Sequence, residues 1–121
     1  MDCLFCKIIE GSAESYTLYE DEVVKVFLDA YPDSTGHMLI VPKKHIVDLY
    51  DMDSSTWDHM LGVAQKFRRK VEENLHPDGV ALLQNNGDLQ LIKHFHLHLK
   101  PHYKEDPKKD KEEVYALLKE D

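Results

Sequence analysis

The sequence predicts an α+β protein with an antiparallel five-stranded sheet, one long helix and a short C-terminal helix, on three observations. Short segments rich in branched and aromatic residues recur between turn signals. One long stretch repeats its apolar residues at three- and four-residue steps. The last apolar run, His94-Phe95-His96-Leu97-His98, alternates with period two, as an extended strand requires.

Leu4, Phe5, Ile8 and Ile9 recur at helical spacing until Gly11, which predicts a brief helical turn at the start. Tyr16 to Glu20 and Val23 to Asp29 read as strands joined at Glu20-Asp21-Glu22, and His37 to Val41 as a third strand that Pro42 ends. These three form an antiparallel meander. Asp53 or Ser54 caps the long helix, where Trp57, Met60, Leu61, Ala64, Phe67, Val71 and Leu75 share a core face up to His76-Pro77-Asp78-Gly79. Val80 to Gln84 is the fourth strand, Asn85-Asn86-Gly87-Asp88 a turn, and Lys93 to His102 the fifth strand, paired with the fourth. Beyond the charged stretch Lys104 to Glu113, Val114, Leu117 and Leu118 form a short terminal helix. His59 and His76 take surface or capping roles on and beside the long helix.

With 121 residues, the chain is expected to be one domain, residues 1–121, with a single core. A net charge of −8 spread along the chain argues against a surface that tracks the phosphates of a nucleic-acid polymer. No apolar run is long enough to span a membrane, and Met1-Asp2-Cys3-Leu4-Phe5-Cys6 lacks the pattern of a signal peptide, so a cytoplasmic protein with no membrane partner is expected.

Both cysteines fall in one Cys3-x-x-Cys6 pair, a spacing that reads as metal binding or redox chemistry before a structural disulfide. Alone it is half a zinc site, and histidines must complete it. In the alternating run the imidazoles face one side, while Phe95, Leu97 and Leu99 face the other. At about 7 Å between successive side chains on a strand face, His94 and His98 lie roughly 13 Å apart, too far for one zinc whose nitrogens sit at about 2 Å. The row is therefore a divided site, one histidine serving structure and the others catalysis.

Five segments together carry a family likeness: Cys3-Leu4-Phe5-Cys6-Lys7-Ile8-Ile9, Val26-Phe27-Leu28-Asp29, Gly36-His37-Met38-Leu39-Ile40-Val41-Pro42-Lys43-Lys44-His45, Asn85-Asn86-Gly87, and His94 through Pro101. In order and spacing the chain resembles the histidine triad family of nucleotide hydrolases and transferases, in its zinc-binding branch. The resemblance implies the histidine triad fold and a homodimer. It also implies hydrolysis at the α-phosphate of purine nucleotide conjugates: an adenosine phosphoramidate, an aminoacyl adenylate or a dinucleoside polyphosphate. His96 is then the nucleophile that holds the nucleotide as a phosphoramidate. His98 stabilises charge and assists proton transfer. Asn85 and Gln90 fall at phosphate-side positions, and His37 is a further histidine near the active centre. Asp29 matches a ribose contact and Ala30 a backbone contact. Leu4, Phe5, Ile8, Phe27 and Leu28 match residues enclosing the purine. The metal ligands implied are Cys3, Cys6, His45 and His94 around a structural zinc.

Related proteins carry Gly-Gln-Ser ahead of the triad, the serine touching the phosphate. Here Leu91 stands in its place, Lys93 follows nearby at a parity opposite the histidines, and His102 replaces an arginine after the proline. Two other readings of the chain are nucleotidyl transfer to another phosphate and a zinc-stabilised nucleotide-binding protein without significant turnover. The retained His98 favours hydrolysis.

Overall fold

A computed structural model describes residues 3–120; Met1 and Asp2, which open the segment read as lacking a signal, lie outside the described residues. The elements run α1 (Leu4–Glu10), β1 (Thr17–Glu20), β2 (Val24–Leu28), β3 (Met38–Pro42), α2 (Ser54–Leu75), β4 (Gly79–Leu83), β5 (Leu97–His102) and α3 (Lys111–Leu118), with a 3-10 turn at Gly87–Leu89. The strands form one antiparallel sheet in the order β1-β2-β3-β5-β4. Among the described residues no helix is long and apolar enough to cross a membrane.

Local chemistry sets the helix ends. The Asp53 carboxylate accepts the Thr56 N–H at 2.9 Å and caps α2, and His76 closes it in the left-handed conformation. Asp110 caps α3 through Glu113 N–H, and Gly11 ends α1 at φ +89°. The apolar stripe of α2, including Met60, Ala64, Phe67 and Val71, packs on one face of the sheet with Leu18, Val26, Ile40, Phe95, Leu97 and Leu99; Val114 and Leu118 of α3 join it. On the opposite face Cys3, Phe5 and Ile8 pack against Phe27, Leu39 and Val41. A seven-residue helix cannot cover that face, and the site occupies what it leaves open.

The last strand differs from its expected extent. It begins at Leu97 rather than Lys93, because β3 pairs with it only at Met38↔Leu99, Leu39↔His98 and Ile40↔Leu97. Ahead of Leu97, side chains take the carbonyls a longer ladder would need. The His96 imidazole bonds the His94 carbonyl, the His94 imidazole bonds the Pro42 carbonyl, and Pro42 has no N–H to give. The alternation of faces survives all the same, with Phe95 in the large core and His96 on the open side.

The turn into β3 is held by Ser34 Oγ donating to the Pro101 carbonyl and by Tyr103 Oη donating to the Thr35 carbonyl. Gly36 sits there at φ +89°, where an added Cβ would lie 2.7 Å from Leu75 Cδ1 and 3.2 Å from Pro101 Cγ. Gly36→Ala is therefore expected to cost about 1–3 kcal/mol in urea unfolding, from the unfavourable φ and the clash together. A change below about 0.5 kcal/mol would contradict this packing.

Candidate active site and metal centre

Four side chains from three segments far apart in sequence converge at the start of α1. Cys6 Sγ lies 3.2 Å from His45 Nδ1 and 3.5 Å from His94 Nδ1, the two nitrogens are 3.1 Å apart, and Cys3 Sγ is 3.5 Å from His94 Nδ1. A tetrahedron around zinc, with bonds of about 2.0–2.3 Å, has edges of roughly 3.3–3.6 Å between nitrogens and between nitrogen and sulfur. The donor set therefore fits a Cys2His2 ion. The protons agree as well. His94 Nε2 faces the Pro42 carbonyl at 2.7 Å and so must donate, which leaves Nδ1 bare toward the thiols. Burial, then the bond and charge of Cys3, push the Cys6 thiol up to about 11, so a cation is needed to hold the Cys6 sulfur as a thiolate.

Beside this cluster opens a cavity of about 910 Å³. Leu4, Phe5, Ile8, Phe27, Leu28, Asp29, Ala30, His37, Asn85, His96 and His98 all line it. Phe5 stands edge-on to Phe27 and to His96, with centroids 5.5 Å and 5.0 Å apart, which makes an aromatic slot next to an imidazole.

His96 Nδ1 lies 2.7 Å from the His94 carbonyl and must donate to it, so Nε2 keeps its lone pair. Burial holds its pKa below the ordinary 6.5, against the opposing pull of the carbonyl bond and Asp29. A second fixed chain of bonds governs His98. The Asp33 N–H can only donate, and it meets His37 Nδ1 at 3.0 Å, so neutral His37 carries its proton on Nε2. That proton points to His98 Nδ1 at 2.9 Å, leaving His98 with an Nε2–H of its own. Burial, reinforced by His96, His37 and Lys100, pushes His98 down to about 4; burial also lowers His37. Asp29 Oδ2 stands 3.5 Å from His37 and 4.0 Å from His98. Asp29, His37 and His98 have metal-ligand chemistry, yet the Asp33 N–H keeps a proton where an ion would need the His37 lone pair.

Gln90 does not reach the cavity. It is 3 % exposed and its amide donates to the Val47 carbonyl, so it braces the loop ahead of the triad. Leu91 lines the cavity and is 91 % exposed, while Lys93 turns away and donates to the Gly87 carbonyl. The successive triad rings of His96 and His98 are closer than a strand row implies, with centroids 4.9 Å apart. His59 stays on the surface, bonded to Asp21 at 2.7 Å.

Sequence reasoning missed seven polar residues of the cavity: Glu14, Ser15, Tyr16, Tyr31, Asp33, Lys100 and Lys111. Lys100 continues the alternation one step past His98, a signal that was there to be read; its amine pairs with Asp33 at 2.7 Å. Lys111 arrives from α3 and donates to the Ala30 carbonyl at 2.7 Å, a contact no local pattern encodes.

Comparison with known proteins bears on the same features. The HIT domain family model matches residues 10–105. The fold superposes on the Zn-bound histidine triad family protein of Mycobacterium smegmatis with a TM-score of 0.89 and 38% identity, covering 98% of this chain and 91% of that one. An adenosine 5'-monophosphoramidase of Candida albicans is 38% identical over 82% of this chain and 69% of its own length. The protein hit of Bacillus subtilis is 36% identical over 84% of this chain and 72% of its own. With a family model spanning most of its length and relatives at this identity on either side of the bacterial and fungal divide, the chain belongs to the histidine triad, or HIT domain, family.

Proposed function

We propose that this chain is a nucleotide hydrolase that cleaves purine nucleotide conjugates at the α-phosphate through a covalent bond to His96. One observation carries the reading: in a cavity with an aromatic slot, His96 has its Nδ1 proton tied to a carbonyl and its Nε2 lone pair free. The phosphoramidase name of the Candida albicans relative supports the same class of reaction.

The purine lies between Leu4, Phe5, Ile8, Phe27 and Leu28, the ribose lies by Asp29 and Ala30, and Asn85 donates to phosphate oxygen. His96 Nε2 attacks phosphorus; the N–P bond forms as the bond to the leaving group breaks, and the leaving group departs with a proton taken from solvent while the His98 Nε2–H donates a hydrogen bond to the developing charge. His37, held by the Asp33 N–H, keeps His98 in the tautomer that donates that bond. Water then attacks phosphorus, returns a proton to solvent and releases His96 with the nucleoside monophosphate. Two easier displacements replace one hard one.

Cys3, Cys6, His45 and His94 would hold zinc with four protein ligands and no open position, so the ion would supply a crosslink between α1 and the triad and would activate no substrate. Free thiols committed to such a site suit a reducing compartment, and we place the protein in the cytoplasm. The edge strand β4 exposes Leu82 (50 %) and Leu83 (41 %) beside unpaired backbone, and we assign this edge to pairing of two copies across a two-fold axis.

Rapid-quench trapping with radiolabelled adenosine phosphoramidate is expected to yield acid-labile label on the wild-type protein and none on His96→Ala, whose turnover falls at least about a thousandfold. Turnover without any adduct would exclude the covalent route. Because the free lone pair is what reacts, acid inactivates by protonating His96, and its lowered pKa keeps it reactive at pH 7. The acid limb of kcat/KM is therefore expected below 6.5, and a limb above 6.5 would contradict the buried environment. Native mass spectrometry is expected to read one zinc per chain and two chains per assembly, with Cys6→Ser losing the metal; a zinc-free chain with undiminished AMP binding would refute the structural role.

A further inference from the structure

Helix α1 is pinned at both ends, and its two attachments differ in kind. At its start Cys3 and Cys6 enter the metal cluster; near its end the Ile8 carbonyl accepts a bond from Lys25 Nζ at 2.8 Å. Lys25 is only 8 % exposed, the second residue of β2, opposite Glu20 on one side and Val41 on the other. It shares a strand face with Phe27, the face on which Phe5 and Ile8 pack. Its remaining charge partner is Glu20, at 3.9 Å, which is itself held by Lys43 at 2.6 Å.

A buried lysine is an expensive way to fill this space. Desolvation and lost rotamer freedom both oppose it, and an unbranched apolar side chain of similar length would pack against the same surroundings. What only the ammonium supplies is a directional grip on a carbonyl at the negative end of a helix. The gripped residue, Ile8, lines the cavity, and one turn earlier Phe5 touches Phe27 and His96.

We infer that Lys25 is a positioning residue for nucleotide recognition: through the Ile8 carbonyl it fixes the C-terminal half of α1, and so sets the distance between Phe5, Ile8 and Phe27 that admits a flat base. The inference deepens the hydrolase reading and rests on it for the choice of substrate. Lys25 touches neither phosphate nor the reacting imidazoles, so its loss acts on binding and leaves the chemical step alone.

Lys25→Met and the milder Lys25→Gln, each zinc-loaded and checked for fold by circular dichroism, are compared with wild type. AMP affinity by calorimetry and KM for adenosine phosphoramidate are expected to weaken about tenfold, the scale of one lost charge-assisted bond, with kcat within about twofold and zinc content unchanged. Turnover of ribose 5-phosphoramidate, which has no base to place, is expected to change little, and Lys25→Arg is expected to restore most of the AMP affinity. Unchanged AMP affinity in a folded variant would overturn the assignment, as would equal losses for the substrates with and without a base. Should Lys25→Met fail to fold, the comparison with Lys25→Gln decides. A wild-type protein that binds AMP but turns over neither substrate would remove the hydrolase reading and leave the role of Lys25 to the affinity measurements.

Discussion

Everything chemical in this protein depends on where three imidazole protons sit, and backbone groups hold all three. The Pro42 carbonyl takes the Nε2 proton of His94, the His94 carbonyl takes the Nδ1 proton of His96, and the Asp33 N–H forces the proton of His37 onto Nε2. A neutral imidazole has one proton and one lone pair, so fixing one nitrogen fixes the other. The same residue type thus presents a bare nitrogen to the thiols at position 94, a bare nitrogen to the cavity at 96, and an N–H at 98. Burial lowers all of the titrations and keeps these rings neutral, which is the condition for the assignment to hold.

The same bonds account for the shape of the last strand. With the Pro42 and His94 carbonyls already bonded to imidazoles and no N–H on Pro42, β5 starts only after His96, and the residues ahead of it turn His94 toward α1 while Phe95 still points into the large core. Strand pairing is given up locally for side-chain orientation. The sheet tolerates this because Phe95 N–H finds the Ile46 carbonyl, and because Trp57 of α2 packs edge-on against the Phe95 ring.

On its other face the sheet carries a very small partner. α1 contributes two fully packed apolar residues, Phe5 and Ile8, which is a thin basis for holding a helix in register. Its position follows from the polar attachments at its two ends, the thiols at the first turn and Lys25 at the last. The cavity wall and the candidate metal ligands Cys3 and Cys6 are then parts of one short piece, with Phe5 in edge contact with the rings of His94 and His96.

The strand and helix segments were legible in the sequence because each depends on local periodicity: the α2 stripe from Met60 to Leu75, the branched residues of β2 and β3, and the alternation around Leu97 all survive in the fold. The sequence reading also named the four residues that converge at the start of α1 and half of those that line the cavity, through Cys3-x-x-Cys6, His45 and the triad. What the tertiary structure alone decided is which hydrogen bonds each polar group finds. Gln90, read as a phosphate-side residue, turns inward to Val47; Lys93 turns back to Gly87; Lys25, Asp33 and Lys111 acquire their partners from segments distant in the chain. Apolar patterning is written residue by residue because burial acts on each side chain separately, whereas a donor's partner exists only after the chain has folded.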